Sequence, residues 1–205
     1  MLRIENLSKR YGDHLVFQGL NYTFSPGCVV LSDEDNTGKS TLLNILAGVM
    51  AADSGDVWVN GHSMACAPQV AKAALAYVPD NCLAFPQQTG REWLQQAARE
   101  KNTQLDETAL GLADKLGLAE HLDKRFEQMS TGTRRKVFLA ACALGRPAVI
   151  LADGPSNGLD TPARAILAEQ FRVWAQDRVV LFASHDAQLV EACGAKPLSL
   201  DALRG

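Results

Sequence analysis

At 205 residues, the chain is long enough for one fully cored domain carrying an insertion. A hydrophobic share of 47% and a charged share of 21% exclude disorder, collagen-like repeats and coiled coil. The net charge of −3 supplies no electrostatic footprint for nucleic acid, and the one basic cluster, Arg134, Arg135 and Lys136, is short.

In chain order, Leu2 to Leu7 and Val16 to Phe24 read as two strands separated by the turn Tyr11-Gly12-Asp13. Ser25-Pro26-Gly27 is a second turn, and the continuous apolar run Cys28-Val29-Val30-Leu31 marks a strand buried on both faces. A helix opens near Ser40. Asp56 to Gly61 reads as a strand entering a turn, and Ala74 to Val78 as a short strand stopped by Pro79. From about Pro86 to Gly145 helical periodicity takes over, over Arg91 to Lys101, Asp106 to Leu116 and Thr131 to Leu144. The runs Ala148 to Ala152 and Val179 to Ala183 are again buried strands, with a helix over Pro162 to Ala175 between them. Strand, crossover helix, strand is the parallel α/β unit.

The five cysteines, Cys28, Cys66, Cys82, Cys142 and Cys193, are scattered and odd in number, which fits a reduced cytosolic compartment better than a disulfide or zinc framework. The charged N-terminal stretch and the lack of any 18-residue apolar run predict neither a signal peptide nor a membrane span.

Gly38-Lys39-Ser40-Thr41, after a buried strand and at a helix start, is the second half of the phosphate-loop motif G-x-x-x-x-G-K-[ST]. In that motif the lysine reaches the β- and γ-phosphates, the hydroxyl sits on Mg²⁺, and backbone N–H groups meet the anion. The first half departs from the motif. Asp33 stands where glycine is expected, and the loop continues Glu34-Asp35-Asn36-Thr37. Three carboxylates therefore adjoin the place of a polyanion, and like charges about 5 Å apart repel by roughly 3 kcal/mol at an effective dielectric near 20. Of the non-glycine residues, Asn36 tolerates left-handed geometry best.

With these residues, and with further motifs in matching order, the sequence resembles the nucleotide-binding subunits of ATP-binding-cassette (ABC) transporters over nearly its whole length. Tyr11 sits where the family stacks an aromatic ring on adenine, although a turn tyrosine packed on the sheet fits equally. Tyr77-Val78-Pro79-Asp80 resembles the segment ending in the Q-loop glutamine, with Asp80 in its place. Met129-Ser130-Thr131-Gly132-Thr133 resembles the signature L-S-G-G-Q, where Ser130 and Gly132 match; Ser130 as a plain helix N-cap is the alternative. Ala148 to Asp153 resembles Walker B, but Gly154 replaces the catalytic glutamate, and a glycine cannot orient water or accept its proton. Ser156 to Asp160 matches the D-loop, and Ser184-His185-Asp186 the switch-histidine segment.

The resemblance implies an α/β P-loop NTPase fold: a RecA-like parallel sheet, an antiparallel β subdomain and an inserted α-helical subdomain. Residues 1–205 are expected to form one nucleotide-binding domain, with 1–85 and 146–205 as the α/β core and about 86–145 as the helical part. It implies ATP and Mg²⁺ as ligands, with affinity weakened at this chain's own Walker site. Tyr11, Asn36, Thr37, Gly38, Lys39, Ser40, Thr41, Ser130 and Gly132 would bind nucleotide. Ser40, Asp80 and Asp153 would serve the metal, and His185 and Asp153 the chemistry. Little intrinsic hydrolysis is expected from an ABC-type ATPase with Gly154 at this place.

The expected partners are a second cassette, in a homo- or heterodimer, and transmembrane permease subunits that hold the chain on the inner face of the cell membrane. Nucleic acid is not expected. The size is similar to that of small exporter subunits, including the haem-exporter type. A non-hydrolysing regulatory or scaffold protein of the same fold is the alternative, and the soluble cassettes of translation or DNA repair fit less well.

Overall fold

A computed structural model describes residues 1–34 and 36–204. The chain runs β1 (Leu2–Tyr11), β2 (His14–Phe24), β3 (Gly27–Leu31), α1 (Lys39–Leu46), β4 (Ser54–Val59), β5 (His62–Ser63), α2 (Pro68–Ala73) and β6 (Leu75–Val78). It continues α3 (Gly90–Glu100), α4 (Glu107–Lys115), α5 (Thr131–Ala141), β7 (Val149–Asp153), α6 (Thr161–Trp174), β8 (Val179–Ala183), α7 (Ala187–Ala192) and β9 (Lys196–Leu198). A 3₁₀ turn over Asp201–Arg204 follows.

Two sheets form. One is antiparallel, in the order β2-β1-β4-β5, and the other is wholly parallel, in the order β6-β7-β8-β3-β9. The parallel strands read as unbroken apolar runs because both faces are covered. Their period of two then divides the core. Val149 and Leu151 of β7, with Val179 and Leu181 of β8, pack with α1 and the antiparallel sheet. Ile150 and Ala152, with Val180 and Phe182, pack with α3 to α7 instead. One sheet thus separates two cores, and the carboxyl ends of β3, β7 and β8 open where those cores meet.

Local chemistry sets the helix starts. Among the described residues, α3 to α7 each open on a side-chain cap, from Thr89, Asp106, Ser130, Asp160 and Asp186 respectively. Helix α1 does not: its N-cap is Gly38, which has no side chain to give. The N–H groups of its first turn are left to another acceptor.

The expected strands and long helices lie where the residue patterns put them, within the usual play at element ends. The patterns did not predict α2, α7, β5 and β9, which are six residues or shorter. Such short pieces hold their form through tertiary contacts rather than propensity. β9 adds to β3 in parallel, and Leu203 of the terminal turn is buried against the α1 side.

Phe171 of α6 is fully buried, with its ring 5.3 Å from Phe182 of β8 and 6.1 Å from Trp174. Phe171→Ala is expected to cost about 3–5 kcal/mol, measured by denaturant unfolding.

Candidate nucleotide site

β3 ends at Leu31 and α1 begins at Lys39, so residues 32–38 turn the chain over the carboxyl edge of the parallel sheet. Two residues bend that turn through left-handed geometry: Asn36 at φ 61° and Gly38 at φ 102°. A Cβ at Gly38 would also lie 2.4 Å from Val16 Cγ1, so only glycine fits there. Thr37 Oγ1 donates to the Glu34 carbonyl at 2.9 Å. The Lys39 ammonium is buried and folded into the loop, donating to the carbonyls of Asp33 and Glu34.

The expectation that three carboxylates oppose an anion requires correction. Asp33 Oδ2 accepts a hydrogen bond from the Leu200 N–H at 2.8 Å, so this carboxylate ties the loop to the C-terminal segment instead of facing the cleft. Glu34 is exposed and does not line the cleft. Asp35 lies outside the described residues. The sequence could not show this, because the acceptor's partner is 167 positions away.

The cleft above Lys39 has a volume of about 450 Å³. Tyr11, His14 and Val16 line one part of it, with Asn36 and Gly38 to Thr41 along the loop, and Asp80, Asp153, Gly154, Asn157, Ser184 and His185 completing the wall. Of the expected site residues, Thr37, Ser130 and Gly132 are not in this wall. Tyr11 is 48% exposed, with its hydroxyl 3.0 Å from Met50 Sδ and the Lys9 ammonium 5.5 Å from its ring centre. It is a ring held in place at the mouth of the cleft.

Asp153 ends β7 inside the protein, and burial raises its pKa above the usual carboxylate range. A hydrogen bond from Ser40 pulls the other way, the charge of Asp80 adds to the rise, and Arg135 and Lys39 oppose it. Ser40, Asp153 and Asp80 thus converge as oxygen donors, the set a hard cation such as Mg²⁺ takes. The open first turn of α1 and the Lys39 ammonium form the matching anion cradle. These residues fit a magnesium nucleotide. Beside them Gly154 is left-handed at φ 54°, its N–H bonded to the Ala183 carbonyl at 2.9 Å, and it presents no group able to accept a proton.

Ser130 caps α5, with its Oγ accepting from the Thr133 N–H at 3.1 Å. Gly132 packs on Gly158, where a Cβ would lie 2.1 Å from the Gly158 carbonyl oxygen. The signature-like segment therefore locks against Gly158 of the D-loop-like segment outside the cleft, while Asn157 of that same segment lines it.

Motif reading gave Asn157 to the D-loop without placing it in this cleft, and it gave Arg135 no role. Asn157 Nδ2 donates to Asp80 Oδ1 at 3.3 Å. Arg135, grouped by composition with the half-buried Arg134 and Lys136, is only 2% exposed. Helical periodicity carries the signal: Gly132, Arg135 and Leu139 share one buried face of α5.

Residues 17–157 match the family described as ABC transporter. The rat ATP-binding cassette sub-family A member 7 is 32% identical over 82% of this chain. The chain spans only 8% of that protein's length. A Staphylococcus haemolyticus protein provisionally named hemin import ATP-binding protein HrtA is 27% identical, over 93% of this chain and 92% of its own. The solved "Structure of ATP binding subunit of ABC transporter" superposes with a TM-score of 0.83 at 25% identity, covering 93% of this chain and 82% of that one. A dimeric bacterial ABC transporter cassette, MJ0796, superposes with a TM-score of 0.84 at 19% identity, over 98% and 95%, and so shares the fold. Among the described residues, no helix is long and apolar enough to cross a membrane.

Asp33→Ala is expected to lower stability by about 1–3 kcal/mol in thermal melts, through the unpaired Leu200 N–H, while calorimetry records little gain in nucleotide affinity. For Asp153 the sign follows from burial: the folded chain holds this proton more tightly than the unfolded chain. Stability is therefore lost as pH rises from the ordinary carboxylate value through the raised one. Asp153→Asn is expected to raise the melting temperature at neutral pH in metal-free buffer, and to flatten that pH dependence.

Proposed function

We propose a role for this chain on one premise: it belongs to the ABC transporter family, and within that family it is an ATP-binding subunit. The finer reading is a degenerate cassette that holds nucleotide at its own Walker site, hydrolyses it poorly, and works with an intact cassette and separate permease subunits. The observation that carries it is an anion cradle of Gly38, Lys39 and the uncapped start of α1, beside a Gly154 that offers no base.

In this reading Lys39 exchanges the loop carbonyls of Asp33 and Glu34 for phosphate oxygens. The α1 N–H groups and Ser40 to Thr41 take the remaining phosphate oxygens, and Thr37 steadies the loop from behind. Tyr11 stacks on the base. Ser40, Asp80 and Asp153 would hold Mg²⁺, which when bound would supply neutralising charge to the phosphates, and His185, in the same wall, would serve the γ-phosphate. Without an acid at position 154, water activation loses a contribution typically worth about 10²–10⁴ in rate.

Ser130 and Gly132 lie outside the cleft, so they would serve a second cassette's nucleotide across a dimer interface, with the capped α5 start directed at it. A heterodimer then retains one competent site, made of the partner's Walker residues and this chain's signature segment. Residues 86–145 form the helical part and the rest the α/β core. Leu83 and Phe85, 76% and 75% exposed on the segment after Asp80, support docking of a permease beside the helical part. That would place the chain on the inner face of the membrane.

Calorimetry is expected to show MgATP binding by the purified chain, weakened at least about tenfold, or about 1.4 kcal/mol, by Lys39→Ala. Phosphate release should stay near background for the chain alone and rise on mixing with an intact cassette. Brisk turnover by the lone chain would refute the degenerate reading. Absence of nucleotide binding would favour a scaffold.

A further inference from the structure

Among the described residues Arg135 is the largest fully buried side chain, and its guanidinium ends on backbone carbonyls from two separate segments. One terminal nitrogen donates to the carbonyls of Asp153 and Gly154, at 3.1 and 2.8 Å. The other donates to the Asp80 carbonyl at 2.6 Å and stands 3.7 Å from Asp80 Oδ1. Its Nε–H is buried with no acceptor among the described residues. A buried cation held by carbonyl dipoles and a flanking carboxylate persists only where the surrounding backbone is fixed to meet it.

That fixed backbone has a consequence at position 154. A Cβ there would lie 2.3 Å from Asn157 Nδ2 and 3.3 Å from Asp80 Oδ1, so the space beside Gly154 is already filled by the hydrogen-bonded side chains of Asp80 and Asn157. The left-handed φ of Gly154 is itself a conformation that other residues adopt only with strain.

We infer that Arg135 is a positioning residue: by gripping the carbonyls of Asp153, Gly154 and Asp80 from the signature-like helix, it keeps the slot beside Gly154 filled and Asp80 and Asp153 turned toward one cation. The slow site is then a built shape and not only a missing carboxylate. The role of the two aspartates toward Mg²⁺ rests on the function proposed above; the grip itself does not.

The test is amide hydrogen exchange on the full nucleotide-free chain, comparing it with Arg135→Gln and, should that variant fold poorly, Arg135→Lys. Residues 79–85 and 153–158 are expected to exchange at least about tenfold faster, with β8 and α6 unchanged. No local change, or a uniform loss of protection across the core, would overturn the inference. Separately, the ratio of ATP affinities with and without Mg²⁺ should fall toward one in Arg135→Gln, while metal-free affinity holds. A ratio unchanged from the unaltered chain would also overturn it. Failure of the unaltered chain to bind ATP refutes the nucleotide reading alone, and exchange still decides the grip.

Discussion

The passage from β3 into α1 governs the site. A strand buried on both faces delivers the chain to the edge of the sheet, and a helix departs from that edge with no side chain capping its first turn. Partial positive charge at the helix start and a buried ammonium then share one small space, and such a space favours an anion. There the Lys39 ammonium donates to the carbonyls of Asp33 and Glu34. Gly38 makes the arrangement possible, since any other residue would clash with Val16 while adopting a positive φ.

The rest of the molecule braces this passage. Val16 presses on Gly38 from β2, and Leu200 is tied to Asp33 from the C-terminal segment, which is itself anchored by the buried Leu203. A carboxylate in the loop therefore adds stability through a backbone N–H rather than repulsion in the cleft. Orientation of the lone pairs, and not the count of charges in the segment, decides its effect.

The second half of the site depends on a different anchor. Asp153 and Gly154 at the end of β7 and Asp80 after β6 come from two separate segments, and the Arg135 guanidinium joins them from α5. Helix α5 also carries Ser130 and Gly132, so the segment that would face a partner's nucleotide and the wall of this chain's own cleft share one rigid element. A shared rigid element of that kind is one physical route by which two sites can couple.

Some of this was legible in residue order alone. Unbroken apolar runs gave the parallel strands, 3.6-residue periodicity gave the longer helices, and Gly38-Lys39-Ser40-Thr41 gave the turn into α1, because each depends on neighbours within a few positions. Gly154 was likewise legible as a position with no side chain able to accept a proton. Tertiary structure alone decided the rest: that Asp33 turns away to Leu200, that Arg135 is buried, and that Asp80 and Asn157 occupy the space beside Gly154. Those outcomes depend on which distant backbone groups meet a given side chain, and hydrogen-bond geometry between remote segments leaves no periodic trace along the chain.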